Sequence, residues 1–501
     1  MIHVVIRADA GPTIGVGHVM RCFALAEAMR ARGARVEFVS AGVSHSIETR
    51  FASHGIAYVA AGSAIWPSEE DVDTVMQRVH AHPGDRSVVV VDGYHFDQEY
   101  VARLKRADCT VVWIDDLHAA PAYAGDVVVN PTLGAERCEY TAPVGARVLL
   151  GATYALVRSD VQPAPARPAD APRHVIITLG GADPAGLTAP IAAALRDAKF
   201  RNCRITVIVG VSNPHAAKIR ALAASGCGLA VVEDPADLAA LIATADLAVA
   251  SAGGTAWELA RAGVPAVLVV AADNQERGAR TIAEAGASIT VRPRSAADIG
   301  EVVDLVGTLL EDDSRRARMA GRGRRIIDGR GPSRVAQWVT GEAEHAPVRM
   351  RGPQPADAIQ VWRIASDPGV RAQSFDRQPI DLDRHFDWFD ARLQSSSARD
   401  YVLESGDEIA AHIRFDRRAD APVADISFAV AAPFRGRGLG RRVLADSWRA
   451  ACGALAATAA RGLVLETNEP SIRAFRGAGF EERRRTVHRG YPCIEFERDA
   501  A

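Results

Sequence analysis

The chain has 501 residues, too many for one hydrophobic core and enough for about three domains. Charged residues make up 24% and the formal net charge is −2, so no global field draws nucleic acid or an anionic membrane. The seven cysteines form no C-x-x-C pair, which fits free thiols in a reducing compartment rather than a cysteine zinc site, and no stretch is apolar for long enough to span a bilayer.

The first residues pass straight into a strand pattern, without the basic and then apolar signature of a signal peptide; a soluble cytoplasmic protein is expected. The apolar run 3–6 reads as a buried strand. A loop follows with Gly11, Gly15 and Gly17, and then His18 opens a helical period carried by Val19, Cys22, Phe23, Ala26 and Met29. The glycine spacing is not the G-x-G-x-x-G of dinucleotide sites. The loop carries polar side chains instead: Asp9 at the strand end, and His18 and Arg21 one helical turn apart. A histidine in the first turn of a helix meets the positive end of the dipole. That favours the neutral imidazole, which can accept a proton. The alternative is a capping or core histidine.

Through a first domain, 1–165, strands at 35–40, 87–92 and 109–115 alternate with helices at 44–54 and 97–107, as in a parallel sheet covered on both faces. Polar residues gather where the strands end: Asp9, Asp92 and Tyr94, Asp115 and Asp116, then Asn130. Each alone reads as a turn residue. Their gathering at one sheet edge points to a site. A Pro/Ala linker at 161–172 separates this pattern from its repetition in a second domain, 172–342, with strands at 174–179, 204–209, 229–232, 247–250 and 266–270. Gly180 and Gly181 follow the first of these strands, and Asp183-Pro184 reads as a capped helix start.

The segment 251–258 places Ser251, Gly253 and Gly254 before Thr255 and Glu258. Two glycines let a backbone approach a diphosphate at a helix N-terminus. Glu258 either completes a capping box with Thr255 or accepts two ribose hydroxyls. Asn274 lies just past the next strand, at the same edge. Two α/β domains with glycine-rich loops suggest a cleft for a nucleoside diphosphate attached to a reactive group. No Walker lysine motif occurs and no Asp-x-Asp pair lies in the glycine-rich loops to point to a required metal, so no metal is expected.

After a charged, Pro-bearing linker at 342–355, a third domain, 350–501, changes pattern. Alternating strands at 401–403, 408–415 and 424–430 precede a loop of Arg435, Gly436, Arg437, Gly438, Leu439 and Gly440 that opens a helix to about 450. Consecutive N–H groups there suit a pyrophosphate. A strand at 463–466 and a helix from 468 to 480, with Asn468 and Ser471 at its start, complete the pattern.

The motifs Arg7-Ala-Asp9, Ile14-Gly-x-Gly17-His18-Val-Met-Arg21, Asp92-x-Tyr94, Ile114-Asp-Asp116, Asn130-Pro, Tyr154-Ala-Leu-Val-Arg158, Leu179-Gly-Gly-Ala-Asp-Pro184, Ser251 to Glu258 and Asn274-Gln275 resemble those of the UDP-2,4-diacetamido-2,4,6-trideoxy-β-L-altropyranose hydrolases of pseudaminic acid biosynthesis. The resemblance covers about residues 1–340. It implies the GT-B fold of two Rossmann-like domains, shared with the glycosyltransferases that make lipid II, and hydrolysis of the anomeric bond with inversion and release of UDP. His18 would be the base that activates water. Tyr94 and Asn274 would line the sugar site. Gly180, Gly181, Ser251, Gly253, Gly254, Thr255 and Glu258 would hold UDP, and Asp9, Arg21 and Arg158 would meet substrate or phosphate.

The third domain resembles the GNAT acyl-CoA N-acyltransferases through its Arg435 to Gly440 loop and its Asn468-x-x-Ser471 to Gly479-Phe480 ending. Its opening, Val361-Trp362 to Trp388-Phe389, is similar to nucleotide-sugar N-acetyltransferases that act on the 4-amino group in the same pathway. This implies acetyl-CoA bound by 435–440, with Asn468 and Ser471 near the pantetheine arm. Those enzymes often place a tyrosine, acid to the leaving thiolate, where Phe475 stands. The combined expectation is a bifunctional enzyme that acetylates a UDP-4-amino sugar and then hydrolyses the product. The alternative is a GT-B glycosyltransferase whose GNAT domain only binds.

Overall fold

The computed structural model describes residues 1–11, 14–62, 66–118, 120–165, 171–210, 212–224, 228–235, 237–294 and 296–500, the side chains of 296 and 297 excepted. Parts of the glycine loop (12–13) and of the Pro/Ala linker (166–170) lie outside the described residues. Contacts divide the chain into two units, Met1–Thr340 and Gly341–Ala501.

The first unit holds two sheets. One has seven strands, β1 (Ile2–Ala8), β2 (Arg35–Ser40), β3 (Ala57–Ala60), β4 (Arg86–Asp92), β5 (Cys109–Ile114), β6 (Val127–Asn130) and β7 (Arg147–Leu150), in the order β3-β2-β1-β4-β5-β6-β7. Every pairing is parallel. The run Val88–Val91 is fully buried, as expected where helices cover both faces. The second sheet has six strands, β8 (Arg173–Thr178), β9 (Cys203–Val209), β10 (Leu229–Glu233), β11 (Leu247–Ser251), β12 (Ala266–Val269) and β13 (Ser288–Val291), in the order β10-β9-β8-β11-β12-β13, again all parallel. In both sheets the strand order reverses beside the first strand, at β1/β4 and at β8/β11. Open α/β sheets bind ligands at such switch points, outside the carboxyl ends of the strands.

The second unit is a seven-stranded sheet of β14 (Val348–Arg351), β15 (Ala398–Ser405), β16 (Glu408–Arg417), β17 (Val423–Val430), β18 (Ala459–Leu465), β19 (Glu481–His488) and β20 (Tyr491–Asp499), ordered β14-β15-β16-β17-β18-β20-β19. Its neighbours are antiparallel except β17 and β18. That pair is joined only over Val423–Ile426 and Ala459–Gly462, so the strands part beyond Ile426 and Gly462.

Three local readings differ from the sequence expectation. The helix after β8 starts at Thr188, not at 183; Asp183 still caps it, from a positive-φ turn, by accepting from the N–H groups of Leu187 (3.1 Å) and Thr188 (2.9 Å). The stretch 342–355 is not simply a linker: it contains the short helix Glu342–His345 and β14, which pairs with β15. Thr255 and Glu258 form no capping box, because the helix Gly254–Ala262 is capped at Gly253 without a side-chain hydrogen bond.

Candidate functional site

At the β1/β4 switch point the helix Gly17–Arg30 begins one residue before His18, and its periodic apolar residues lie buried against the sheet. The register therefore holds His18 and Arg21 over the end of β4. His18 is buried, and its Nδ1 lies 2.8 Å from Asp92 Oδ1. Asp92 also accepts from Arg21 Nε and Nη2, each at 2.6 Å, and from the Cys22 thiol at 3.3 Å. The remaining Arg21 terminal nitrogen, Nη1, donates to Asp116 at 2.5 Å. Burial opposes the charge on Asp92, but Arg21 and then His18 more than offset it and hold the carboxyl well below the usual carboxylate range. Arg21 Nη2 also stands 3.1 Å from His18 Nδ1, but the shorter contact to the ionised Asp92 favours the tautomer protonated there. His18 Nε2 is left with its lone pair available.

Tyr94 meets the His18 ring edge-on, with centroids 4.6 Å apart. Its hydroxyl is 3.4 Å from Asp116 Oδ2 and accepts from Asn274 Nδ2 at 3.2 Å. Desolvation, and secondarily the Asp116 charge, push the phenol up to about 12, so it stays protonated at neutral pH. Asn274 belongs to the turn Asp273–Gln275 after β12 and reaches Tyr94 from the other Rossmann half.

The second switch point carries the glycines. Added Cβ atoms at Gly253 and Gly254 would meet nothing within 4 Å, so the protein's own packing does not require their missing side chains. Together with the first-turn N–H groups of the helix Gly254–Ala262, they leave an open cradle for an anion. Gly180 adopts φ +89° beside the buried Ser251. A Cβ on Gly181 would make only ordinary contact with Val16, at 3.5 Å, whereas Gly210 has to be glycine because its Cβ would come within 2.3 Å of Gly181 Cα. Glu258 receives Arg158 Nε at 3.0 Å, a contact from one half to the other, and Arg158 Nη1 lies 3.3 Å from Asp160 Oδ2. Burial moves Glu258 above its ordinary value, against the opposing charge of Arg158. The buried Nη2 of Arg158 has no hydrogen-bond partner.

Asp9 takes its hydrogen bonds on Oδ1, with His95 Nε2 3.1 Å from Oδ2. It is 3% exposed and takes up Arg7, the Ala41 N–H (2.7 Å) and the Ser40 hydroxyl (3.3 Å), while Arg7 is also bound to Asp71. These Oδ1 contacts brace the loop, while the buried Oδ2 has no hydrogen-bond partner among the described residues. Arg21 is engaged by Asp92 and Asp116 and holds both carboxylates in place. Sequence reasoning placed Asp92 and Asp116 at strand ends without a role. The His-x-x-Arg spacing was the signal that one acidic partner would serve both side chains.

In the second unit, the loop 435–440 carries Gly436 and Gly438 at positive φ, and Gly438 caps the helix Leu439–Leu455. Arg435 donates to the Val430 carbonyl (3.2 Å) and to Asp367 (2.5 Å), which fixes the loop beside the parted ends of β17 and β18. Arg437 lies over the Phe434 ring, 5.3 Å from its centroid. A Cβ on Gly440 would stand 3.1 Å from the Phe428 ring, which would have to shift by a few tenths of an ångström to admit it. Asn468 caps the helix Glu469–Gly477 by accepting from the Ser471 N–H at 3.2 Å. Phe475 is 2% exposed and stacks on Phe496 with centroids 5.3 Å apart. Sequence reasoning missed a buried pair on β15 and β16, His412 Nε2 and Asp400 Oδ2 at 2.9 Å. The two residues are twelve apart on separate strands, and no motif links them.

A family model described as Acetyltransferase (GNAT) domain matches residues 348–481, and one described as Glycosyltransferase family 28 C-terminal domain matches residues 175–325. The chain is 23% identical over 341 residues to the spore coat polysaccharide biosynthesis protein SpsG of Bacillus subtilis, covering 67% of this chain and 96% of that protein. Among solved structures it is similar to MurG of Acinetobacter baumannii (18% identity, 68% of this chain and 100% of that chain, TM-score 0.47). It is also similar to yncA, a putative acetyltransferase from Salmonella typhimurium with its cofactor acetyl-CoA (18% identity, 31% of this chain and 94% of that chain, TM-score 0.28). The chain is thus a GT-B glycosyltransferase-like part followed by a GNAT acetyltransferase domain. No helix among the described residues is long and apolar enough to cross a membrane.

Proposed function

We propose that the GT-B part hydrolyses a UDP-linked diacetamido sugar, UDP-2,4-diacetamido-2,4,6-trideoxy-β-L-altropyranose, and that the GNAT domain makes that substrate by acetylating the 4-amino precursor with acetyl-CoA. The observation that carries the reading is the His18–Asp92 pair, a buried imidazole whose Nδ1 is taken by an ionised carboxylate. Such a pair supplies one base. Inverting hydrolysis of a sugar with a good leaving group needs little more.

In this mechanism a water on the face opposite UDP attacks the anomeric carbon while His18 Nε2 takes its proton. The bond from that carbon to the diphosphate oxygen breaks, and UDP departs with the electron pair. The helix N-terminus at Gly253 and Gly254 stabilises the growing diphosphate charge. Glu258 accepts the ribose hydroxyls, Ser251, Thr255, Gly180 and Gly181 complete the UDP cradle, and Arg158 offers its free Nη2 to the nucleotide. Tyr94 and Asn274 orient the sugar. In the acetyl step the 4-amino nitrogen attacks the thioester carbonyl and gives up a proton to water, the C–S bond breaks, and coenzyme A leaves as the thiolate. Arg435 to Gly440 hold its pyrophosphate, and Asn468 and Ser471 lie by the pantetheine arm. Phe475 cannot protonate the thiolate, so water does. The proposed reading requires no metal for either step and places the protein in the cytoplasm.

A second reading is glycosyl transfer from the UDP-sugar to an acceptor, favoured by the family 28 match over 175–325. Incubating the full chain with the UDP-4-amino precursor, with and without acetyl-CoA, separates the two. Free diacetamido sugar and UDP, formed only with acetyl-CoA and lost in His18→Ala, support hydrolysis. An acetylated UDP-sugar that never loses UDP without an acceptor overturns it.

A further inference from the structure

At the opposite end of β1 from His18, about 20 Å along the strand, three side chains converge that neither reaction uses. His3 lies on β1 and Glu37 on β2, where the register pairs Glu37 with Val5 and so puts His3 and Glu37 on one sheet face. His82 comes from the loop after the helix Glu69–Val79. His3 is fully buried, Glu37 is 4% exposed, and His82 leaves the group open to solvent on one side.

Neither ring nitrogen of His3 has a hydrogen-bond partner, an expensive state for a buried imidazole. Its Nε2 lies 3.4 Å from Glu37 Oε1, and His82 Nε2 lies 3.5 Å from the same oxygen. All three ligand atoms fall within 4.8 Å of one another. Charge-assisted N–H···O bonds would close to about 2.7–2.9 Å. Ligands on a tetrahedral zinc, each about 2.0–2.1 Å from the ion, stand about 3.3–3.4 Å apart. The two distances to Glu37 Oε1 match ligands that share one ion and are longer than direct charge-assisted bonds. Arg78 Nε holds the other carboxylate oxygen, Oε2, at 2.7 Å and leaves Oε1 facing the histidines. This is the outer hydrogen bond that orients a metal-binding carboxylate.

We propose that His3, Glu37 and His82 bind one divalent transition-metal ion of the zinc class, with water as fourth ligand. The ion would clamp β1, β2 and the loop after the helix Glu69–Val79. Two imidazoles and a carboxylate suit zinc and its neighbours in the first row and disfavour calcium or magnesium. The site is remote from His18, so its function is structural and its readout is not turnover.

The test uses the full chain without a polyhistidine tag, stripped by chelator and then titrated with zinc or cobalt. One ion per chain is expected by elemental mass spectrometry, with the visible absorption of tetrahedral cobalt and a zinc-dependent rise in Tm. His82→Ala, at the solvent edge, should lower affinity at least about tenfold, the scale seen even for outer-sphere changes. Glu37→Gln should do the same, and His54→Ala, an exposed histidine elsewhere, should not. A wild-type chain that takes up no stoichiometric ion and gains no Tm overturns the proposal. So does a His82→Ala chain that binds as tightly as wild type.

Discussion

Asp92→Asn is the sharpest test of the His18 reading. The substitution keeps the side chain's volume and removes its charge. In the structure that charge holds three nitrogens: His18 Nδ1 at 2.8 Å, and Arg21 Nε and Nη2 at 2.6 Å each. An amide can present its NH₂ to Nδ1 and so select the wrong imidazole tautomer, with the proton on Nε2. General-base help of about 10²–10⁴-fold is then lost, equivalent to about 3–5 kcal/mol of barrier. Stability falls too. Breaking a buried ion pair costs about 3–5 kcal/mol, and this case belongs at the low end because Arg21 keeps Asp116. The assay is UDP release from chemically pre-acetylated UDP-sugar, with kcat and KM separated and Tm recorded. Asp92 touches no substrate in the proposed site, so kcat should fall while KM changes little. Asp92→Glu, which restores the charge, should recover part of the rate. A kcat within threefold of wild type, in a protein with native Tm, would refute the role given to the pair.

Four further outcomes follow from the geometry. Glu258→Gln should weaken UDP binding about 10- to 100-fold, the loss of roughly 1.5–3 kcal/mol in charged hydrogen bonds, measured by calorimetry; unchanged affinity would remove Glu258 from the nucleotide site. Tyr94→Phe deletes the hydroxyl that Asn274 donates to and should cost about 1 kcal/mol, or roughly fivefold in kcat/KM; no change would mean the contact is incidental. Gly438→Val, at φ +75°, should abolish acetyl-CoA binding while leaving hydrolysis of pre-acetylated substrate intact, and retained coenzyme binding would relocate that site. Finally, Asp92 is held below its unfolded value, so its stabilising contribution is present above about pH 4 and lost as pH falls below it; in acid titration of Tm, Asp92→Asn should flatten that limb, and an identical limb in the variant would contradict the shift.

The parts of the fold legible in the sequence were those with a strong period. Continuous apolar runs such as 87–92 and 247–250 marked the central strands β4 and β11, because a strand buried on both faces has no polar alternation to confuse it. The short outer strands β3 and β13 escaped notice: each is four residues long, and their two middle residues are only half-buried. β19 was missed for a related reason. Its Glu481–His488 sequence is charged and largely exposed, as suits an edge strand, and reads as a polar loop until its pairing with β20 is seen. In the candidate site, helix spacing brought His18 and Arg21 to notice, since residues three apart share a helix face. What could not be read was which partner each would take. Asp92 ends β4 and Asp9 directly follows β1, yet Arg7, two residues before Asp9, binds Asp9, while Asp92 meets the helix from across the switch point.

The contacts between the two Rossmann halves bear on how the proposed hydrolysis is gated. Arg158 reaches Glu258 and Asn274 reaches Tyr94, and each bond joins one half to the other. In the proposed site, Glu258 and Tyr94 are also the groups that ribose and sugar must contact. The ligand would therefore replace bonds that already hold the halves together, rather than close an open cleft from nothing. Since Arg158 keeps Nη2 unpaired while bound to Glu258, nucleotide oxygens can add to that arginine before the ion pair yields. Binding energy is then needed only for the difference between two sets of bonds. That favours modest affinity for UDP, a useful property where UDP is the product that must leave. Arg158→Lys, which keeps the charge but loses the second fork nitrogen, should separate the effects: the halves stay paired through Glu258, while affinity for UDP falls several-fold. Calorimetry with UDP, alongside Tm of the free protein, measures both. An unchanged UDP affinity at native Tm would show that the nucleotide never uses the free nitrogen.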